Sequence, residues 1–512
     1  MNMASMQMGQ PKIPVPNAPG SKAPMLHTLE LTPFVDPLPL PTIVRPTLRN
    51  GRRTVTVSMQ EIHAKVHRDV PPTRMWSYGS STLAPLIEAR SGEAIDIEWI
   101  NTLPAKHFLP IDHSLHGCGT NIPEVRTAVH VHGAKTRSKD DGYPEDWFPS
   151  GKSRTCHYPL EQEAATLWYH DHAMGLNRLN TYAGLFGMFL IRDQVEDSLH
   201  LPSDKHEIPL LLYDRDFTAD GQLFYDTSGD PEHPWIPEFS ADGLLVNGKI
   251  RPYLEVEPRL YRFRILNVAN SRFFNLTLTS NHSFTQIGSD QGLLAASVKT
   301  PRLSLAPAER ADVLIDFSQL AGETLHLRTA AEDLLRLRVA KQSPSTAPGF
   351  SIPKTIRPIE RIPESAATNT RTITLHEYKD KYARSMVMLL NRKHWHEPVT
   401  EMPKLNSTEI WEFVNLTEDT HPMHMHLVRF QILDRRSFDT TDYLLNKKLR
   451  FTADAIPPDA NELGWKDTVQ CPESVITRVI VRFEGFPGKY LYHCHILEHE
   501  ANDMMRPFEV VA

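Results

Sequence analysis

The chain has 512 residues, 40% of them hydrophobic, enough for roughly three or four domains with real cores. A formal net charge of −7 without a basic run argues against a nucleic-acid binder, and no run of about 18 apolar residues is present to form a membrane-spanning helix. The 41 prolines and 24 glycines favour many turns and short strands over long helices.

Residues 1–27 are rich in Met, Pro and Gly and read as a flexible arm. They contain no apolar core and no twin-arginine pair, so no signal peptide is visible there. A first domain is expected over 28–195. Arg53-Thr-Val-Thr-Val-Ser-Met59 and Ala94-Ile-Asp-Ile-Glu-Trp-Ile-Asn101 alternate with period two, the signature of half-buried strands in a β-sandwich. A loop rich in Gly, Pro and His follows from His107 to Glu124. Next come His130-Val-His132, the polar turn Asp140-Asp-Gly-Tyr-Pro-Glu-Asp-Trp147, Trp168-Tyr-His-Asp-His172, and a buried closing strand at 183–191.

An internal repeat marks the rest of the chain. Ile97–Asn101, Arg262–Asn267 and Ile410–Asn415 are alternating strands that each end in Asn. Histidines follow the first and third copies but not the second. A second domain without metal ligands is therefore expected over 196–340, a Pro/Ser/Thr-rich linker over 341–370, and a third domain over 371–512. The fold class expected is all-β, with three related sandwiches and metal ligands where the first and third meet.

The chemistry concentrates at Lys489 to Met505, which holds His493, Cys494, His495, His499 and Met504. On an extended strand His493 and His495 share one face and Cys494 points to the other, so one strand can serve two metal centres. A thiolate with imidazoles and a weak axial thioether is the ligand set of a blue copper site. His130/His132, His170/His172, His424/His426 and His493/His495 each place two imidazoles on one side of an extended segment. A fifth pair, His394-Trp-His396, has no such context and is assigned to chance. If Cys494 is a ligand, Cys118, Cys156 and Cys471 leave room for one disulfide at most, and Cys118 with Cys156 is a candidate.

His421-Pro-Met-His424-Met-His426 and His493-Cys-His-Ile-Leu-Glu-His499, with His130-Val-His132 and Trp168-Tyr-His-Asp-His172, resemble the four copper motifs of the multicopper oxidases. Tyr169–Met174, Thr420–His424 and His495–Glu500 are most similar to bacterial spore-coat laccases and bilirubin oxidases. The resemblance implies three cupredoxin domains, four coppers, and oxidation of phenol-like donors coupled to reduction of O2 to water. It implies type 1 ligands His421, Cys494, His499 and axial Met504, and type 2 ligands His130 and His424. The type 3 ligands it implies are His132, His170, His172, His426, His493 and His495. It places electron entry at the edge of His499, and the expected proton donors are Glu500 and Asp141. The expected partners are small aromatic donors and O2, acting on a monomer, and family habit points to a spore coat, the periplasm or secretion. The competing readings are a bilirubin oxidase, an oxidase of Cu(I) or Fe(II), and a copper-binding structural coat protein. Met386, Met388 and Met402, which a cuprous oxidase could use, are expected to pack in the core.

Overall fold

The computed structural model describes residues 24–330, 332–342, 354–381 and 384–512. Most of the expected arm, and the middle of the expected linker, lie outside them. The described residues form three pairs of β-sheets in sequence order, with a small two-stranded sheet of Arg126–Thr127 and Phe148–Pro149 in the first part, so the all-β expectation holds.

In the first sandwich, Arg52–Ala64 pairs in parallel with Ile95–Asn101, which pairs with Ser153–Tyr158. The opposing sheet carries Leu86–Arg90, Phe186–Arg192, Ala165–Asp171 and Val129–His132 in that order. Val55, Val57 and Met59 are buried while their neighbours face outward, as the period-two pattern requires. The second sandwich is built around Glu207–Phe217, Leu260–Asn267 and Arg310–Asp316. In the third, Asn369–Lys379 pairs with Thr408–Asn415, and the facing sheet runs Thr468–Cys471, His421–Met425, Gly488–Cys494, Met505–Val510.

The Asn-ended repeat has a physical cause. Ile95–Asn101, Leu260–Asn267 and Thr408–Asn415 each run parallel to a long strand near the start of their sandwich. Asn101, Asn267 and Asn415 are each 0% exposed. Each side-chain oxygen accepts the backbone N–H two residues on, from Leu103, Ala269 and Thr417, turning the chain out of the sheet. Each side-chain amide then donates to a backbone carbonyl across the sandwich, at Phe148, Leu305 and Cys471.

One apolar core runs continuously through the first two sandwiches, and the third has its own. The described end of the expected linker is packed rather than loose. Ile356 joins Leu201, Ile287, Leu293 and Leu314, and Arg357 pairs with Asp193 at 2.5 Å. Cys118 and Cys156 are buried and unbonded, so that candidate disulfide does not form. Of the three methionines, only Met388 is buried; Met386 and Met402 are each 47% exposed, against the core expectation. Among the described residues no helix is long and apolar enough to cross a membrane.

Candidate metal centres

Strand exits supply the ligands. His130 and His132 lie on Val129–His132, which pairs with Ala165–Asp171 so that His130 faces His170 across the sheet. In the third sandwich His424 faces His493 in the same way, and His172, His426 and His495 each sit one residue beyond their strand. The first and third sandwiches meet along these exits. The ring of His130 stacks on His426 at 3.8 Å and that of His132 on His424 at 3.6 Å. His172 and His493 meet at 5.1 Å, and His170 and His495 at 5.2 Å. All eight rings are at most 1% exposed. His394 and His396 stay outside on the surface, where His394 pairs with Asp503 at 2.6 Å.

Backbone oxygens decide which nitrogen each ring offers. A carbonyl only accepts, so the nitrogen facing it carries the proton and the other keeps its lone pair. The Nδ1 atoms of His130, His170, His424 and His493 donate to the carbonyls of Asp141, Asp171, Asp467 and Cys494 at 2.6, 3.0, 2.7 and 3.1 Å. His426 Nδ1 donates to the Asp141 carboxylate at 2.7 Å. These five rings therefore present Nε2. The Nε2 atoms of His130, His170 and His424 are buried with no partner. Those of His426 and His493 face each other at 3.2 Å. Lone pairs converging in a dry cavity are a cost unless a cation receives them, so the donor set fits metal ions.

A second set lies on the far side of Gly488–Cys494. Cys494 Sγ is 3.5 Å from His421 Nδ1 and 3.6 Å from His499 Nδ1. The two Nδ1 atoms are 3.2 Å apart. The third Asn turn orients His421. Thr417 Oγ1 donates to Asn415 Oδ1 at 2.9 Å, so it accepts from His421 Nε2 at 2.6 Å and leaves the Nδ1 lone pair facing the sulfur. Met504 shares the apolar core with Cys494, whereas Met505 packs with Met174, Trp395 and Leu491 on the other side. His499 is 0% exposed, so the ring assigned to electron entry has no open edge.

Burial holds these groups in their uncharged forms. It pushes His172, His421 and His495 down to about 3 and the Cys494 thiol well up. Both carboxyls expected as proton donors are inside, not on the surface. Glu500 lies 3.3 Å from His172 Nε2 and 3.2 Å from His493 Nδ1 and is 0% exposed. Its burial raises the carboxyl, but His493 and His172 more than offset this and bring it to about 2. Burial raises Asp141, and His130 opposes the shift.

Three residues carry no signal in the sequence. Asp467 reaches His132, Arg310 reaches Asp467, and Glu498 anchors the short helix Leu497–Ala501 through Tyr225, Asn270 and Ser271, each at 2.7 Å. Thr417 was findable, because the repeated Asn predicts a turn just before His421.

Known proteins resemble this chain along most of its length. Multicopper oxidase family models match residues 118–196, 217–330 and 367–512. The chain is 44% identical to a laccase of Bacillus stratosphericus, over 94% of this chain and all of that one. It is equally 44% identical to a laccase of Bacillus subtilis, over 94% of this chain and 99% of that one. The crystal structure of a multi-copper oxidase from Pediococcus acidilactici superposes with a TM-score of 0.77 at 28% identity, covering 95% of each chain. A sulfur and eight buried imidazoles on opposite sides of one strand, in a chain alike to these from end to end, establish that the protein belongs to the multicopper oxidase family of copper-dependent oxidoreductases that use O2.

Proposed function

We propose that the protein works as a laccase, taking single electrons from phenolic or similar aromatic donors and reducing O2 to water with four coppers per chain. His421, Cys494, His499 and Met504 would hold the type 1 ion and His130 and His424 the type 2 ion. His132, His170, His172, His426, His493 and His495 would hold the type 3 pair. We further take the three sheet pairs as domains over 28–195, 196–340 and 371–512. The observation that carries the reading is Cys494, whose peptide bonds lead directly to His493 and His495 while its sulfur faces the other ring set. Copper bound in these sites supplies one-electron transfer at the sulfur and O2 reduction among the imidazoles.

The chain's own groups orient and protonate. Thr417 and the carbonyls of Asp141, Asp171, Asp467 and Cys494 hold the rings in single tautomers. Reduction of O2 consumes protons, and the rings are buried. Asp141 and Glu500 are buried carboxyls set directly against the rings, Asp141 on His426 and Glu500 between His172 and His493, where they can take up a proton and pass it on. Glu500→Gln and Asp141→Asn are each expected to lower kcat on the order of 10²-fold, the scale of a lost general acid, and to shift the pH profile of turnover. Wild-type turnover and profile in both variants would remove the proton role.

Anaerobic copper reconstitution with a visible spectrum tests the whole assignment. Four coppers, an intense blue band and a near-ultraviolet shoulder are expected, followed by faster turnover of phenols than of bilirubin, Cu(I) or Fe(II). One copper with the blue band alone would instead mean an electron carrier.

A further inference from the structure

The assigned ligands all come from the first and third sandwiches. We propose that the second sandwich nevertheless sets the geometry of the oxygen-reducing centre, through an Arg310–Asp467 clamp that dictates which nitrogen of His132 faces inward. The proposal rests on the four-copper assignment above.

Arg310 stands on Arg310–Asp316, the strand of the second sandwich that pairs with Leu260–Asn267. Its side chain and that of Asp467 are both 0% exposed. The guanidinium grips the carboxylate with two parallel bonds, Nη1 to Oδ1 at 2.7 Å and Nη2 to Oδ2 at 2.6 Å. A second residue of the same sandwich, Gln291, donates to Oδ2 at 2.7 Å. Thr468 Oγ1 donates to Oδ1 at 2.9 Å. With His132 Nε2 at 3.0 Å, five donors surround two oxygens. Asp467 lies with His132 and His424 in a group that could hold an ion, yet its lone pairs are already taken. It therefore acts as a positioning residue and not as a ligand.

A carboxylate held in this way can only accept. His132 Nε2 must carry its proton, and the lone pair of Nδ1 is turned inward, where Nδ1 is buried with no partner. The backbone carbonyl of the same Asp467 takes the Nδ1 proton of His424, so that ring offers Nε2. One residue thereby sets two rings, stacked 3.6 Å apart at 16°, to present opposite nitrogens. Among the six rings whose tautomer a hydrogen bond fixes, His132 is the exception, since His130, His170, His424, His426 and His493 are all set to present Nε2. The exception is maintained by a residue of the third sandwich that the second sandwich holds in place. Loss of the guanidinium would free the Asp467 carboxylate to rotate, and His132 with it.

The test is anaerobic copper loading of full-length wild type, Asp467→Asn, Arg310→Gln and Arg310→Lys. Copper content and the ratio of the near-ultraviolet shoulder to the blue band are read in the same sample. The blue band depends on Cys494, which does not touch the clamp, and so reports whether the third sandwich has folded. Asp467→Asn and Arg310→Gln are expected to keep the blue band and lose the shoulder, with cluster copper held about 10- to 100-fold more weakly. Arg310→Lys, which keeps the charge, should restore part of the shoulder. Full loading of both neutral variants with a wild-type ratio overturns the clamp. If Asp467→Asn loses both bands, Arg310→Lys decides: a weakened shoulder beside a full blue band supports the clamp, and a wild-type ratio overturns it. A wild type that loads only the blue site counts against the four-copper assignment instead.

Discussion

Cys494→Ser is expected to abolish the blue band and donor oxidation together, while copper still loads into the imidazole cluster with its near-ultraviolet shoulder. The two halves of this outcome have separate causes. Serine keeps the shape of cysteine but replaces a soft, polarisable sulfur with a hard hydroxyl that stays protonated at neutral pH, so the donor set of His421, His499 and Met504 loses its thiolate. The local fold should survive. Cys494 is 0% exposed and its Sγ accepts the Ile496 N–H at 3.4 Å, a bond that a hydroxyl can also accept. His493 and His495 keep their backbone positions, and the Nδ1 of His493 still donates to the Cys494 carbonyl, which the substitution leaves in place. Visible spectra and oxygen uptake read both halves. A variant that kept the blue band would remove Cys494 from the site; one that lost the shoulder as well would mean that the two centres are not structurally separable.

The second large effect is a loss of stability in acid. An imidazole titrates near 6.5 in an unfolded chain, whereas burial brings His172, His421 and His495 to about 3 in the folded protein. Below pH 6.5 the unfolded state therefore binds more protons, and stability falls as pH falls. Each such ring costs about 1.4 kcal/mol per pH unit across the interval, so these three alone contribute about 4 kcal/mol per unit. His132, His170, His424, His426 and His499 are also lowered and add to the loss. Asp171, raised to about 7, Glu238, raised to about 8, and Asp216 and Asp419, each raised to about 6, act in the opposite sense, since burial makes their folded forms hold a proton that the unfolded chain releases. More imidazoles are lowered in this way than carboxyls are raised. The urea midpoint of the copper-free protein is accordingly expected to drop steeply between pH 6.5 and pH 5, and a flat midpoint would contradict the buried neutral rings.

Much of this was legible in the sequence because its signals are local. Two histidines separated by one residue share a face of any extended segment, and the strands at Ala165–Asp171 and Gly488–Cys494 place His170 and His493 as that spacing requires. The Asn-ended strands were likewise legible, since the side chain acts on the N–H two residues away. Asp467 was not. Its partners Arg310 and His132 are 157 and 335 residues away, and a lone Asp beside a lysine looks like any surface charge. Glu498 was hidden for the same reason, with Tyr225 and Asn270 more than two hundred residues off. The packing over His499 was not legible either, because covering a ring depends on what packs over it, which periodicity does not encode.

The division of ligands between distant parts of the chain also bears on how the protein is made. The first four imidazoles are complete once residue 172 has been synthesised, but the rings that face them lie at 424, 426, 493 and 495. The sulfur, at residue 494, follows all of these rings except the last. A nascent or truncated chain thus has no assembled cluster and no relay to feed it. The chemistry is withheld until residues 424–495 have been made and the first and third sandwiches have met.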